Sequence, residues 1–286
     1  MGSAIASSGD CVLAQVTPDG TLGTESSVVT PINVNGLPGE QIDGGATRGA
    51  TLFHSFEQFS VPTGGAAYFN NALDIQNVIS RVTGASISNI DGLLRANGTA
   101  NLFLLNPNGI LIGTNASLSI GGSFVGSTAS SLNFSDGTQF SATAPTTTPL
   151  LTVSVPIGLQ FGGTAGSIVN QSRATNSNGQ VVGLQVQPRA TLALVGGNVL
   201  LDSGNLQALG GRVELGGVAG AGTVELNANS NNQGFIFPDE LARADVSLTN
   251  GALVDVRAGG GGSIAINAQN LSLAGESRLW AGIVQG

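Results

Sequence analysis

From Val246 to Leu279 short apolar pairs return again and again: Val246-Ser-Leu248, Leu253-Val-Asp-Val256, Ile264-Ala-Ile266, Leu271-Ser-Leu273 and Leu279. Gly, Asn or Asp separates each from the next, at steps of about seven to ten residues. The same beat runs upstream through Leu192-Ala-Leu194, Val199-Leu-Leu201, Leu206-Gln-Ala208, Val213-Glu-Leu215 and Val224-Glu-Leu226. A period of two turns one face of a strand inward, and turn residues recur too often for helices to grow. Three such strands make a unit of about 20 residues, the scale of one solenoid coil. Ile75, Val78, Ile79 and Val82 also fit helical spacing, but their β-branched content assigns 75–82 to a strand.

A β-sandwich also gives short, evenly spaced strands, so composition has to decide between the two. Aromatic residues make up 5 % of the chain against 44 Gly. In a parallel β-helix each strand pairs with its equivalent one coil away. Inward side chains stack in ladders that favour Val, Leu and Ile, and tight corners take Gly or Asn in the left-handed region. The expectation is therefore an all-β parallel β-helix. With strands about 4.8 Å apart, roughly ten coils give a rod near 50 Å long.

Three segments break the beat and read as excursions from the rod. Residues 133–148 pass through Asp136-Gly137 and a Thr-Pro run, the mark of a hairpin and loop. Residues 171–189 carry the turn-rich Thr175-Asn-Ser-Asn-Gly179 before Val181–Val186, again hairpin-like. Residues 227–245 hold Pro238-Asp-Glu-Leu-Ala-Arg243, which predicts one short helix with its acids in the first turn. Residues 1–20 read as a tail with a remnant of a signal region or an expression scar, and 21–286 as a single domain. Cys11 lies in that tail; an isolated cysteine there is incidental and allows no intramolecular disulfide.

Charge and side-chain chemistry exclude several function classes. The net charge is −8 and the chain has no lysine, so its nine cations are all Arg, scattered from Arg48 to Arg278. That disfavours nucleic acid and anionic membranes as partners. No apolar run approaches the roughly 20 residues of a membrane helix. His54 is the only histidine, which leaves little for a catalytic relay or a histidine metal site and points to a structural or surface role. The carboxylates are dispersed; Asp202 and Glu214 or Glu225 are the pairs that neighbouring coils bring closest to mind, yet no spacing singles them out. Gly259–Gly262 lacks the Lys and the strand–loop–helix context of a phosphate loop. The expectation is no enzyme, no metal and no cofactor.

One block is more specific. Leu102–Leu105 and Ile110–Ile112 flank Asn106-Pro107-Asn108-Gly109, where Pro107 sets φ for the second turn position and Gly109 closes a type I turn. Around it lie, in order, Asn77-Val-Ile-Ser-Arg81-Val82-Thr83-Gly84, Ser88-Asn-Ile-Asp91-Gly92, Asn97-Gly98, Leu105–Ile110 and Gly121-Gly-Ser-Phe124. The series resembles the N-terminal secretion (TPS) domain of filamentous haemagglutinin-type exoproteins, the passengers of two-partner secretion systems. The likeness is strongest over residues 28–130, and Gln15–Gly23 looks like the mature start of cyanobacterial members.

The resemblance implies a right-handed parallel β-helix with an N-terminal cap and extra-helical β-hairpins and loops. It implies export through the periplasm to the cell surface or medium of a Gram-negative-type bacterium, as a monomer without membrane insertion. The implied partner is an Omp85-type outer-membrane barrel whose periplasmic POTRA modules recognise the unfolded or partly folded chain. Asn106, Pro107, Asn108, Gly109 and Ile110 match the family's recognition and folding block, and Arg81, Val82, Thr83, Gly84, Asp91 and Gly92 its supporting motif. A second Asn-Pro-Asn-Leu block of some members has no counterpart; Phe69-Asn70-Asn71-Ala72 lies near its place, and no role transfers to it. Two other readings stay open: an adhesin rod that binds cells or glycans, and a β-helical polysaccharide-degrading enzyme.

Overall fold

Successive strands visit three walls in turn, so that each wall receives one strand per coil. The computed structural model describes residues 15–34, 36–145, 152–227 and 234–284. The first wall stacks seven parallel strands: Thr51–Ser60, Asn77–Val82, Asn101–Leu105, Phe124–Ser127, Thr191–Gly196, Arg212–Gly217 and Ser263–Asn267. The second runs from Ser88–Ile90 through Ile110–Ile112, Ile168–Asn170, Val199–Asp202 and Val246–Thr249 to Leu271–Leu273. The third is in two pieces. Leu37–Gly44, Ala66–Phe69, Leu93–Ala96 and Ser117–Ser119 form one, and Leu184–Gln185, Asn205–Gln207, Leu253–Asp255 and Arg278–Trp280 the other. Among the described residues there is no α-helix, and the architecture is the parallel β-helix that the apolar beat predicts.

The ladders are literal. Leu52, Val78, Leu102, Phe124, Leu192, Val213 and Ile264 stand in register on the inner face of the first wall. All but Ile264 are buried in the lumen core. Corners between the second and third walls repeat left-handed backbone at Ser203, Asn250 and Gly275, with φ of 59°, 55° and 60°, and in the last two it continues into Gly251 and Glu276 at 77° and 64°. Asn and Gly tolerate that region, and the Ser is held by the stack around it.

Coil length is less regular than the beat suggests. Asn77 pairs with Asn101, and Leu102 with Phe124, repeats of 24 and 22 residues. Phe124, however, pairs with Leu192 and Arg212 with Ser263, repeats of 68 and 51. The described residues therefore place seven strands on the longest wall rather than the ten coils expected, and that stack is about 30 Å long. The excess leaves the first wall after Ser127 and after Gly217 and builds a separate antiparallel sheet. Its order is Gln139–Ser141, Ser131–Phe134, Pro156–Phe161, Gly222–Asn227 and Gly234–Ile236.

That outer sheet covers the outside of the first wall and creates a second core. Phe53, Ile79, Phe103, Val125 and Ala193, in register on the outward face, pack with Phe134, Phe140, Phe161, Phe235 and Phe237. Leu102–Leu105 is an unbroken apolar run because both of its faces are buried. Aromatics are sorted accordingly: seven of the 11 Phe belong to the outer core and four to the lumen. Phe103→Leu is expected to lower stability by about 1 kcal/mol, loosening the outer core while leaving the lumen ladder intact. Chemical denaturation of the two proteins measures it.

Two further expectations are corrected. Pro238–Arg243 is not a helix: Leu241 N–H bonds Pro238 O at a single turn. Arg243 then donates to the Pro238, Leu241 and Phe237 carbonyls and folds the chain back. One turn gains too few hydrogen bonds to nucleate a helix when a side chain takes the carbonyls instead. The described part of the expected tail is also body. Gln15–Pro18 forms an antiparallel strand against Thr51–Ser60, and Val16 is buried in the lumen core. Cys11 and the rest of residues 1–14 lie outside the described residues.

The 133–148 hairpin is present as far as it is described, with Ser131–Phe134 antiparallel to Gln139–Ser141; 146–148 lie outside the described residues. In 171–189 a bridge joins Thr175 to Val181 around the Asn176–Gly179 turn. At the other end of the stack the antiparallel pair Ser27–Val34 and Leu37–Gly44 caps the first coil.

Candidate functional site

Asn106-Pro107-Asn108-Gly109 carries the chain around the corner from the first wall to the second. Gly109 N–H donates to Asn106 O at 3.1 Å, the hydrogen bond that closes the four-residue turn. Gly109 has φ of +135°, which side chains disfavour. Asn106 is 0 % exposed, and its amide works in both directions. Its Nδ2 donates to Ser86 O and Ser88 Oγ, both at 3.0 Å, in the preceding coil. Its Oδ1 accepts from the Asn108 backbone N–H at 3.0 Å and from Asn108 Nδ2 at 3.1 Å.

Neighbouring coils grip the corner from both sides. Asn108 Nδ2 also donates to Gly84 O at 2.7 Å, while Pro107 O accepts from Gly166 N–H at 2.9 Å. Ile110 N–H donates to Ser167 O at 3.1 Å and its side chain points into the lumen core. Pro107 is half-buried and Asn108 exposed. An Asn side chain suits such a corner because one planar group offers donors and an acceptor to backbone that a turn leaves unpaired.

Arg81 occupies a different place, on the outward face of the first wall, and is 1 % exposed. Nε donates to Ser55 Oγ at 2.8 Å, one terminal nitrogen to Thr21 Oγ1 at 2.8 Å and the other to Ser141 O at 2.6 Å. The guanidinium carbon lies 4.1 Å from the centre of the Phe140 ring. Thr21 and Ser55 hydroxyls pass on to Asp19, donating to Oδ1 at 2.8 Å and Oδ2 at 2.7 Å, and Thr83 Oγ1 donates to Oδ2 at 2.6 Å. Arg81 and Asp19 are thus a charge pair relayed by hydroxyls. Burial pulls Arg81 down to about 10, still charged at neutral pH. Burial works to raise Asp19, but four hydrogen bonds, led by Thr83 and Ser55, outweigh it and hold the carboxyl below its ordinary value.

The remaining supporting residues pack around this knot or bridge coils. Val82 is buried in the lumen core. A Cβ on Gly84 would lie 2.2 Å from Glu57 O, and one on Gly92 2.3 Å from Gly65 O. Asp91 spans three coils: it accepts from Thr63 Oγ1 on one side and from Asn115 N–H, at 2.8 Å, on the other. Those bonds hold its carboxyl below the usual range despite partial burial, the largest single influence, which opposes them. Asp91→Asn is expected to cost about 1 kcal/mol through the loss of its charge-assisted bonds. Thermal unfolding at pH 7 reads the change.

Asn71 resembles the corner in small: its Oδ1 accepts from Asn97 N–H at 2.9 Å and its Nδ2 donates to Asn97 O at 3.2 Å. His54 is fully buried, its Nδ1 2.9 Å from Ser27 Oγ and its ring beside Phe56 and Phe69. The three carboxylates weighed for chemistry lie on three different sheets. Asp202 is bonded to Asn250 and Gln171, Glu214 is buried against Arg212, and Glu225 is exposed on the outer sheet. Sequence reasoning missed Asp19, Thr21, Ser55, Phe140 and Ser141. The available signal was a charged Arg81 inside the apolar strand Asn77–Val82, which demands partners once buried.

A family model described as TPS secretion domain matches residues 14–266. No curated protein sequence matches the chain. Among solved structures, the HMW1 secretion domain from Haemophilus influenzae is similar at 19 % identity and a TM-score of 0.48, over 90 % of this chain. The chain spans 63 % of that domain's length. The filamentous hemagglutinin secretion domain is similar at 16 % identity and a TM-score of 0.41, over 95 % of this chain and 99 % of its own.

Proposed function

The chain belongs to the TPS secretion-domain family, and from that membership we propose that a cognate outer-membrane transporter reads it before it folds. In this reading the POTRA modules of an Omp85-type barrel take the unfolded or partly folded chain in the periplasm. The β-helix then forms after passage, at the cell surface or in the medium. The role is non-enzymatic: Asn106–Ile110 serves recognition in the extended chain and builds a corner in the folded one. Gly84 holds the preceding coil to that corner through Asn108, while Arg81 ties the first coils to the outer hairpin and Asp91 bridges coils at another corner.

One observation carries the proposal. Asn106 is fully buried, and both strands beside it are paired on both edges. Asn101–Leu105 lies between Asn77–Val82 and Phe124–Ser127, and Ile110–Ile112 between Ser88–Ile90 and Ile168–Asn170. A partner that adds a strand needs a free edge, and this segment has one only while unfolded. Titrating the periplasmic modules with native and with urea-unfolded, freshly diluted chain tests this. Binding to the unfolded form alone is expected; equal binding of the native form would refute it.

A further inference from the structure

The first coils are tied to chain that comes much later. Phe53 lies 5.8 Å from Phe134 and 5.1 Å from Phe140, ring centre to ring centre, and Arg81 reaches Ser141 O across 60 residues. Thr21, equally far from Arg81 on the other side, holds its second terminal nitrogen. A stack of the first three coils without the hairpin would leave Phe53, Ile79 and Phe103 facing water along one row, with Leu105 beside them in the row of Arg81. Those side chains are the outer face of the very strands on which the next coil must grow. Solenoids in general nucleate anywhere and propagate between neighbours, but here a covering element drawn from another part of the chain completes the first interface.

We infer that the folding nucleus is this junction rather than any single coil. Asp19–Thr21, the strands Thr51–Ser60 and Asn77–Val82, and the hairpin 131–141 lock together in one step, closed by the Arg81 guanidinium. A block running from Asp19 to Ser141 must be available before the first coil becomes secure. Combined with the export reading proposed above, on which only this consequence rests, nothing locks until that whole block has crossed. The folding inference itself concerns the chain alone.

Stopped-flow refolding of the full chain tests it. Arg81→Met is expected to refold about tenfold more slowly with little change in its unfolding rate, the pattern of a residue formed in the transition state. Val254→Ala, in the late coils, is expected to unfold faster and refold at the wild-type rate. Should Arg81→Met fail to fold, Thr21→Val and Phe140→Leu remove one partner each and report the same slowing. In pulse-labelled hydrogen exchange, amides of Phe53, Ile79, Leu132 and Phe140 are expected to gain protection in one phase. Protection of Phe53 and Ile79 in an earlier phase than Leu132 would overturn the inference. So would wild-type refolding rates in all three variants. Neither result bears on transporter binding, which the titration reads separately.

Discussion

Between pH 6.5 and pH 4.5 the domain is expected to lose about 1.4 kcal/mol of stability per pH unit, and the His54→Asn variant much less. Burial pulls His54 down to about 3, with only a weak upward influence from Asp43. Its ring sits between Phe56 and Phe69, Nδ1 is engaged by Ser27 Oγ, and Nε2 has no partner. A proton arriving there would be a buried charge without a counter-ion. Below the ordinary value of 6.5 the unfolded chain takes up a proton that the folded one refuses, so stability is complete above 6.5 and falls as pH drops. As the only histidine, His54 alone titrates in this way near pH 6. Glu40 and Glu214, both raised chiefly by burial, act in the opposite direction nearer the carboxylate range. Urea titrations of both proteins across the window measure the difference; identical slopes would show that His54 is not the source.

Asn106→Ala is expected to destabilise the folded domain by about 2–4 kcal/mol. The methyl group leaves Ser86 O, Ser88 Oγ and the Asn108 N–H without the amide that now satisfies them. Water does not reach that point, because Asn106 and Ser88 are both 0 % exposed. Asn108→Ala is expected to cost about 1 kcal/mol, since its amide is exposed and its bond to Gly84 O is replaceable by solvent. Export of the double variant by cells carrying the cognate transporter is expected to fall sharply. Wild-type secretion of that protein would remove the corner from any part in export.

The coil walls were legible because alternation survives wherever one face meets the lumen and the other is open, as in Val246-Ser-Leu248. The outer sheet was not. Leu102-Phe-Leu-Leu105 reads as an apolar run whether it is covered on its far side by a sheet, a helix or a second chain. The Asn106–Gly109 turn was visible from four residues, since Pro, Asn and Gly encode their own backbone. Its partners above and below, Gly166 and Gly84, come from the fold. Arg81 stood in the sequence as a motif residue without visible partners, and the distant Thr21, Phe140 and Ser141, together with Ser55 on the neighbouring strand, account for its burial. Pro238–Arg243 carried honest helix-start signals, which lost to an arginine that claimed the carbonyls.

Both long departures to the outer sheet leave at the corner that Asn106–Gly109 turns in the third coil: one runs from Thr128 to Ser167, the other from Val218 to Asp245. Coils of 68 and 51 residues therefore close at the same rung spacing as one of 22. Tripling a flexible loop costs only about 1 kcal/mol of closure entropy, so pairing on either side hardly registers the detour. Inserted chain is accommodated at this edge of the prism without disturbing the rungs, and a reporter peptide grafted there has architectural precedent within the molecule itself.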